Sequence, residues 1–368
     1  MSSNNGKVMF FLPSLGGGGA EKIIVRLANR FASSGLTVDL CAATATGVNL
    51  DWVSSDIKII DFEHPRVIRS LIPLIKYLRK NKPAVVYTTM MHANIIVAIA
   101  CRLSGIKTRL ILREAVSTRK MEASSKPAQL LFKTLVRLTY PIADQVISVS
   151  DGVQEDLLAY IGKHNPDSFQ IIYNPIDPDI HEKSQQPLPV LPAQFTANSF
   201  AVAVGRLSGQ KDFETLIKAI GQVQQHHDLG LIILGEGKKR AYLEQLAQSL
   251  GITQLYMPGY VDNIYPYIKA ANVFVLSSKY EGMPNALIEA LALGSSIVAT
   301  RCPSGPEEVL EHGRLGELVD VGDDKAMAEA IIRQLTRAVD VKTDRRNLER
   351  FSLSYIASQY ASIGDLEI

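Results

Sequence analysis

Two glutamates near a predicted helix start have side chains that suit a ligand rich in hydroxyl groups. Glu281 and Glu289 are separated by seven residues in the stretch SSKYEGMPNALIEALALG, and Pro284 suits the first turn of a helix. A helix starting there leaves Glu281 in the preceding loop and places Glu289 one to two turns inside. The first-turn amides between them offer a place for an anion. Taken singly, either glutamate is equally explained as a solvated surface acid.

Two cations follow another predicted strand of the second half. Arg206 comes directly after FAVAVG, and Lys211 stands five residues later, before a helix that begins near Asp212. Cations beside an Asp-capped helix start suit a pyrophosphate, although two surface cations in a loop are the simpler alternative. Two further segments follow predicted strands. The glycines of GEGKKR allow close approach of the backbone to a ligand, and the backbone of PGYVDN could contact the edge of a base. The sequence therefore places ligand-suited residues after four predicted strands.

A run of four glycines follows the first predicted strand, KVMFFLPSL. Gly16, Gly17, Gly18 and Gly19 lead into an amphipathic helix and then the strand VDLCAAT, so the chain begins with a βαβ unit. Such turns bring backbone amides close to phosphate. The glycines match neither the dinucleotide fingerprint nor the Walker loop, and a tight turn without a ligand explains them equally well.

The alternation of strands and helices predicts the fold that positions these residues. Strand candidates recur at IKIIDF, AVVYTTM, TRLILRE and DQVISVS, and a second series runs from FAVAVGRL to LGELVDVG. This pattern is typical of an α/β protein with two Rossmann-like domains, whose parallel sheets face each other across a ligand-binding cleft. We expect domains at 1–180 and 199–345, a linker at 181–198, and a C-terminal helix at 346–368 that docks on a domain surface.

The composition is that of an ordinary folded protein. The 368 residues are 46% hydrophobic and 21% charged, and the net charge is +2. Cys41, Cys101 and Cys302 are widely spaced without a metal-ligand pattern, which indicates free thiols in a reducing compartment. The apolar runs are too short to span a membrane. We therefore expect a cytoplasmic protein without a spanning helix.

The motifs together resemble a known family. GRL with the following Lys, the GEG turn, GYV, EGMPNALIE and CPSGPEEVLEHGRLGELV are similar to the retaining nucleotide-sugar glycosyltransferases of family 4, which have the GT-B fold. GGGGAEK resembles the acceptor-side glycine loop of that family. The resemblance covers nearly the whole chain, and its most specific part is the pair of glutamates placed after Arg206 and Lys211.

The resemblance implies a role for each matching residue. Arg206 and Lys211 bind the donor diphosphate and stabilise the leaving nucleotide, Glu281 lies at the donor sugar, and Glu289 accepts hydrogen bonds from ribose. The other implied donor contacts are Gly205, Gly235, Gly237, Tyr260, Val261, Met283, Asn285, Ala286 and Leu287. The implied reaction is front-face transfer with retention, and it needs neither a cofactor nor a metal. Asp177-Pro178-Asp179 is interpreted as a turn and not as a metal site.

One position departs from the family pattern. Family members often have Glu followed by His or Arg after the strand that matches TRLILRE, whereas this chain has Arg113, Glu114 and Ala115. Ala115 cannot replace a histidine at the reaction centre. His92, after another strand of the same domain, is the substitute we consider, although a histidine there is more often a capping or packing residue. Arg113 and Glu114 are expected to share the acceptor side.

A strongly basic stretch lies in the first half of the chain. Residues 64–137 contain fifteen lysines and arginines and two glutamates, Glu114 and Glu122. RVIRSLIPLIKYLRKNK and KPAQLLFKTLVRL mix cations with apolar residues at helical spacing, as do helices that lie in an anionic membrane surface. Aromatic residues for base stacking are sparse, so we expect no nucleic-acid partner. A solvated basic surface is the alternative.

These observations predict a retaining transferase on the inner face of the cell membrane. The expected donor is a UDP-sugar that carries a hexose or N-acetylhexosamine, and the expected acceptor is a polyprenyl-diphosphate-linked or cell-surface glycan. Two alternatives stay open at this point. One is a non-hydrolysing UDP-sugar 2-epimerase, which shares the two-domain architecture; the other is a catalytically idle protein that binds nucleotide sugars or lipid glycans.

Overall fold

The chain forms two compact units in a computed structural model that describes residues 6–116, 126–162, 165–193, 195–197, 199–336 and 348–368. The first unit consists of Met1–Pro175 with Arg350–Ile368, and the second of Ile176–Glu349. Parts of the expected linker and of the expected C-terminal segment lie outside the described residues. Arg119, Lys120 and Glu122 of the basic stretch lie outside them as well.

The strands form one parallel sheet in each unit. The first sheet contains β1 Val8–Ser14, β2 Val38–Thr44, β3 Lys58–Asp61, β4 Val85–Thr89, β5 Arg109–Glu114, β6 Gln145–Ser148 and β7 Phe169–Ile171. The second contains β8 Phe200–Val204, β9 Gly230–Leu234, β10 Leu255–Gly259, β11 Val273–Leu276, β12 Ile297–Thr300 and β13 Glu317–Val319. Each predicted strand is present, which confirms the expected α/β class.

Helices alternate with these strands. Those of the described residues are α1 Gly19–Ser33, α2 Leu71–Asn81, α3 Met91–Ser104, α4 Lys126–Thr139, α5 Asp151–Ile161, α6 Ile180–Lys183, α7 Phe213–Val223, α8 Arg240–Ser249, α9 Tyr265–Ala270, α10 Asn285–Ala292, α11 Pro306–Val309, α12 Asp324–Thr336 and α13 Leu353–Ile363.

Both faces of the first sheet are covered, as its continuous apolar strands require. The strand order is β3-β2-β1-β4-β5-β6-β7. Within β1, Phe10 and Leu12 face the core beside α1 and α13, whereas Met9 and Phe11 face the core beside α2, α3, α4 and α5. The order reverses at β1, whose Val8 pairs with residues of both β2 and β4. A ligand is expected beyond the carboxyl ends of the strands at such a point.

The second sheet has the strand order β10-β9-β8-β11-β12-β13. All of its pairs are parallel, so the carboxyl ends of β8, β9, β10, β11 and β12 meet at one edge. One face packs against α7, α8 and α12 through a core that includes Leu216, Leu243 and Ile331. The segments that follow these strands at that edge contain the predicted donor residues.

The C-terminal helix belongs to the first unit. The Tyr87 hydroxyl of β4 donates to the Tyr360 carbonyl of α13 at 2.6 Å. Arg109 pairs with Asp365 at 2.7 Å and also donates to the Ile363 carbonyl. Because Tyr360 is buried in the same core as α1, this helix covers part of the first sheet.

Candidate functional site

Two loops of the second unit are held together at the carboxyl edge of its sheet. The backbone amide of Lys279 donates to the Gln210 carbonyl at 2.8 Å, and the Gln210 side chain donates to the Tyr280 carbonyl at 3.0 Å. The Ser277 hydroxyl donates to the Lys211 carbonyl at 2.7 Å. These bonds fix the loop after β8 against the loop after β11, so Lys211 and Glu281 meet although they lie 70 residues apart.

Lys211 and Glu281 form a largely buried ion pair. Nζ of Lys211 lies 2.6 Å from Oε1 of Glu281, whose residue is 6% exposed. The Ser278 hydroxyl donates to the same Oε1 at 2.6 Å. Oε2 of Glu281 has no hydrogen-bond partner among the described residues. The pair therefore neutralises the carboxylate and leaves one oxygen to accept a hydrogen bond from a ligand.

The loop after β12 supports Glu281 from behind. The Glu281 amide donates to the Pro303 carbonyl at 3.2 Å. Gly305 has φ +96°, and a Cβ there would stand 2.6 Å from Cδ of Pro284, so this position requires glycine. Burial and the neighbouring charge of Glu281 raise the pKa of the Cys302 thiol to about 12. Cys302 is consequently a neutral neighbour of the Glu281 carboxylate at physiological pH.

Helix α10 begins at Asn285, directly after Pro284. Glu281 therefore lies in the loop before the helix and Glu289 lies inside it, as the sequence predicted. The Leu287 amide already donates to the Pro284 carbonyl at 3.0 Å, whereas the Ala286 amide has no acceptor among the described residues. The side chains of Met283 and Leu287 are buried and are therefore not open to a ligand.

Arg206 follows β8 with an exposed side chain. It makes no ion pair or hydrogen bond with the described part of the chain, in contrast to Lys211. Asp212 precedes α7 in a left-handed conformation with φ +47° and caps no backbone amide with its side chain. Its carboxylate instead accepts from the Thr215 hydroxyl and pairs with Lys279 at 3.3 Å. This loop thus presents one unpaired cation beside one paired cation.

Gly235 and Gly237 are required by a close approach between two loops. A Cβ on Gly235 would stand 2.1 Å from the Gly205 carbonyl oxygen, and one on Gly237 would stand 2.3 Å from the Leu207 carbonyl oxygen. The Gly205 amide donates to Leu234 and the Leu207 amide to Glu236. These glycines allow the loops after β8 and β9 to pack together, which the sequence expectation of ligand contact did not include.

Tyr260 and Val261 directly follow β10 at the same sheet edge. The Tyr260 side chain is 60% exposed, and Val261 is half-buried. The Gly259 carbonyl accepts from the Gly235 amide at 2.8 Å, which ties this loop to the loop after β9. The loops after β8, β9 and β10 are therefore joined in a row, and the predicted base-contacting residues lie at the end of that row.

Glu289 is part of a buried polar group that the sequence did not reveal. Its Oε1 lies 3.2 Å from the hydroxyl of Tyr265, which lies 3.0 Å from Oδ2 of Asp177. Lys183 lies 3.1 Å from the same Asp177 oxygen. Asp179 donates its amide to Asp177 at 3.1 Å, so the Asp-Pro-Asp segment forms a turn, as predicted. A weak signal existed in the sequence: Asp177 stands in an apolar, Pro-rich segment.

The predicted acceptor-side glycines lie in the first unit between β1 and α1. The Asn49 side chain donates to the Gly16 carbonyl, and Gly17 faces Val48 of the same neighbouring loop. A Cβ on Gly18 would stand 2.0 Å from a Glu21 carboxylate oxygen, because the buried Glu21 side chain folds back over that glycine. An acid in this place disfavours a phosphate and suits a hydroxyl group.

Arg113 and Glu114 end β5 in a buried polar network. Arg113 is 1% exposed and donates to Thr89 at 3.0 Å and to Asn174 at 2.6 Å. Glu114 accepts from the Tyr140 hydroxyl and from the Asn94 amide. Burial raises the pKa of Glu114 to about 7, and both hydrogen bonds oppose that rise. The two side chains are thus packed inside the first unit and are not open to solvent.

His92 lies in the first turn of α3, after a strained residue. Met90, which precedes the helix, has φ +75°, an uncommon value for a residue other than glycine. His92 is exposed as a residue, and desolvation of its ring lowers its pKa below the ordinary value. The imidazole is therefore mostly neutral at physiological pH and can accept a proton.

The described residues contain neither a metal-binding cluster nor a membrane-spanning helix. No group of three or more His, Cys, Asp or Glu in that part of the chain is arranged to hold a metal ion. None of the described helices has the length and the apolar character that crossing a membrane requires.

Family comparisons match both halves of the chain. The family described as "Glycosyltransferase Family 4" matches residues 17–180, and the family described as "Glycosyl transferases group 1" matches residues 199–337. Together the matches include Gly17, Gly18 and Gly19 of the first unit and each predicted donor residue of the second.

Two relatives from Campylobacter jejuni match most of the chain. One, named N-acetylgalactosamine-N,N'-diacetylbacillosaminyl-diphospho-undecaprenol 4-alpha-N-acetylgalactosaminyltransferase, is 28% identical over 88% of this chain and 89% of the relative. The other, a GalNAc-alpha-(1->4)-GalNAc-alpha-(1->3)-diNAcBac-PP-undecaprenol alpha-1,4-N-acetyl-D-galactosaminyltransferase, is 24% identical over 97% of this chain and 98% of the relative.

Solved structures share the fold over nearly the full length. Anabaena HepE in complex with UDP and glucose has a TM-score of 0.77 at 21% identity, with 97% of this chain and 98% of that chain covered. The lipopolysaccharide outer core galactosyltransferase WaaB has a TM-score of 0.72 at 20% identity, with the same coverage of both chains. The fold is therefore GT-B.

Proposed function

This chain belongs to glycosyltransferase family 4, and we propose that it transfers a hexose or N-acetylhexosamine, with retention, from a UDP-sugar to a lipid-linked or cell-surface glycan. That it is a glycosyltransferase follows from the family matches. The donor, the acceptor and the stereochemistry are the proposal. The observation that carries the proposal is the joined pair of loops that presents Arg206 beside the Lys211–Glu281 ion pair.

The leaving group of this reaction is a nucleoside diphosphate, which gains negative charge as the bond to the sugar breaks. Arg206 is exposed and has no partner among the described residues, whereas Lys211 shares its charge with Glu281. Together with the N-terminus of α10, these cations stabilise the departing diphosphate. The charge is met by the protein itself, so the proposal includes no metal ion.

The two glutamates contact different parts of the donor in this proposal. Oε2 of Glu281 accepts from a hydroxyl of the donor sugar, because Oε1 is already engaged by Lys211 and Ser278. Glu289 lies inside α10 and accepts from the ribose hydroxyls. The exposed Tyr260 borders the base at the end of the row of loops. Anabaena HepE, which shares the fold, was solved with UDP and with UDP-glucose, which supports a uridine nucleotide.

The proposed acceptor has a lipid diphosphate at its reducing end. Both Campylobacter jejuni relatives have names that specify transfer to an undecaprenol diphosphate-linked saccharide. In the first unit, the buried Glu21 beside the glycine loop suits an acceptor hydroxyl. His92, which is exposed, remains the acceptor-side candidate for the proton of that hydroxyl.

A lipid acceptor requires the enzyme to work at a membrane surface. Helices α2 and α4 both pack beside α3 on one face of the first sheet. Leu130 is 68% exposed and Ile72 is 65% exposed, and Leu131, Leu138 and Ile68 are exposed as well. Exposed cations such as Lys76 and Arg137 accompany them. We propose that this surface binds anionic lipids on the inner face of the cell membrane.

The test is a screen for release of UDP. Purified enzyme is incubated with UDP-hexoses and UDP-N-acetylhexosamines, each with and without an extract of bacterial lipids. The proposal expects UDP release that depends on one donor class and on the lipid extract. Conversion of one UDP-sugar into another without the extract would instead identify an epimerase, and binding without turnover over the whole panel would identify a binding protein.

A further inference from the structure

The hydroxyl of Tyr265 bridges two carboxylates that lie far apart in the sequence. Its oxygen lies 3.2 Å from Oε1 of Glu289 and 3.0 Å from Oδ2 of Asp177. The three residues are at most 7% exposed. Buried carboxylates are costly unless hydrogen bonds or cations stabilise them. The position of the Tyr265 hydroxyl therefore affects both groups.

The Asp177 end of this bridge is electrostatically fixed. Nζ of Lys183 lies 3.2 Å from Oδ1 and 3.1 Å from Oδ2 of Asp177. A cation at that distance favours the ionised carboxylate. Asp177 is held in addition by its turn with Asp179 and Ile180. Asp177 is thus a rigid neighbour of the Tyr265 hydroxyl whose charge is compensated by Lys183.

The segment around α6 is attached to the loop after β10, within the second unit. The side-chain amide of Asn263 donates to the Lys183 carbonyl at 2.9 Å and to the side-chain carbonyl of Gln186 at 2.8 Å. Two residues later, Tyr265 begins α9, which packs against both α6 and α10. Glu289 on α10 is consequently linked to this segment by side-chain contacts within the second unit.

We propose that Tyr265 is a positioning residue for Glu289, and that the Asp177–Lys183 pair makes residues 177–183 part of the ribose-binding site. This inference rests on the proposed function, because it assigns Glu289 to the ribose of the nucleotide. The Tyr265 hydroxyl has a single proton to donate; because Lys183 already pairs with Asp177, that proton goes to Oε1 of Glu289 and aims this carboxylate at the ribose hydroxyls. Its removal lowers the ability of the enzyme to distinguish ribose from a sugar without those hydroxyls.

The experiment compares UDP with 2′,3′-dideoxy-UDP by titration calorimetry. Tyr265→Phe is expected to bind UDP about tenfold more weakly than the wild type, the usual effect of one lost hydrogen bond to a charged group. Its affinity for the dideoxy nucleotide should stay unchanged. Tyr267→Phe is the matched control, since Tyr267 is also buried in α9 and lies outside this bridge, and it should retain the full ribose preference.

A purely structural role of Tyr265 predicts a different result. Equal loss of affinity for both nucleotides, or no loss for either, overturns the proposal. Asp177→Asn leaves the Tyr265 hydroxyl in place and removes the charge of Asp177, so it should also reduce the preference for UDP over the dideoxy nucleotide. An unchanged preference in this variant counts against the proposal. Two outcomes distinguish a failure of the proposed function from a failure of this inference. If the wild type binds neither nucleotide, the proposed donor is wrong; if Glu289→Ala loses the ribose preference and Tyr265→Phe keeps it, only this inference is wrong.

Discussion

Nζ of Lys211 lies 2.6 Å from Oε1 of Glu281, and this ion pair joins the loop after β8 to the loop before α10. The contact has two consequences. It stabilises a carboxylate that is almost completely buried, and it holds a cation where the resemblance to family 4 expects the donor diphosphate. In the proposed function, stability and catalysis depend on the same residue, Lys211, and the experiments below separate the two effects.

Lys211→Ala should reduce turnover by about a hundredfold or more, because a cation that stabilises the leaving group is lost. The variant should also be less stable by about 3 kcal/mol, since Glu281 is left buried without its partner. Urea unfolding and initial rates measure the two effects. Lys218→Ala, which removes an exposed pair with Glu214 in the same unit, is the control and should change neither. The double variant Lys211→Met with Glu281→Gln removes both charges, so it should recover stability without recovering activity. Recovery of activity in this variant would refute the role of Lys211 in catalysis.

Arg206→Ala should affect catalysis without affecting stability. The side chain is exposed, and its loss removes no ion pair or hydrogen bond with the described residues. We expect kcat/KM for the UDP-sugar to fall by about a hundredfold and the Tm to stay unchanged. Arg206→Lys should recover part of the rate, because it keeps the charge and loses the planar donor geometry. Arg314→Ala serves as a second exposed-arginine variant, one that removes a pair with Glu311, and an equal loss of rate in both alanine variants would argue against a diphosphate at Arg206.

The double variant Leu130→Asp with Leu138→Asp should bind anionic vesicles about tenfold more weakly or worse. It loses apolar contact with the lipid and gains repulsion from the anionic headgroups. Vesicle flotation measures the effect, and binding of the wild type should decline as salt is raised. Leu250→Asp replaces another exposed leucine, which lies in the second unit and is 45% exposed, and it should leave binding unchanged. Wild-type protein that stays unbound at low salt would contradict the proposed membrane surface.

Glu114 should make stability depend on pH in a defined direction. Burial raises its pKa in the folded protein to about 7, above the ordinary value of 4.5, while Arg113, Tyr140 and Asn94 oppose the rise. The folded state therefore keeps the Glu114 proton to a higher pH than the unfolded state does. Its contribution is fully present below pH 4.5 and is lost as the pH rises to about 7, a change on the order of 3 kcal/mol.

Glu114→Gln mimics the protonated form and isolates this contribution. Chemical unfolding should show similar stability for wild type and variant near pH 4.5, and a more stable variant above pH 7. A difference between the two proteins that is the same at both pH values would show that Glu114 does not titrate in this range.

The sequence predicted the sheets well because parallel strands are buried on both faces and form continuous apolar runs. VDLCAAT coincides with β2, and each of the other predicted strands is present. The order of the strands in each sheet is a property of chain topology and came only with the structure. The start of α10 was also predicted closely, because Pro284 restricts the backbone at that point.

The site residues were less predictable where long-range packing decides their surroundings. Gly235 and Gly237 indicated close backbone approach, yet their local sequence does not reveal that the neighbour is the loop after β8. Tyr265 and Asp177 are 88 residues apart, so no local pattern connects them. Arg113 was expected on the acceptor side, and its burial depends on Thr89 and Asn174 in other elements. The roles assigned to these residues remain predictions.

The most direct test of retaining transfer is the anomeric configuration of the product. Lipid acceptor is glycosylated from an α-linked UDP-sugar, the glycolipid is isolated, and the new linkage is read by proton NMR. Our proposal predicts an α linkage, one UDP released for each sugar transferred, and a rate of product formation by Lys211→Ala that is lower by about a hundredfold or more. A β linkage, or product formation by Lys211→Ala at the wild-type rate, would contradict it.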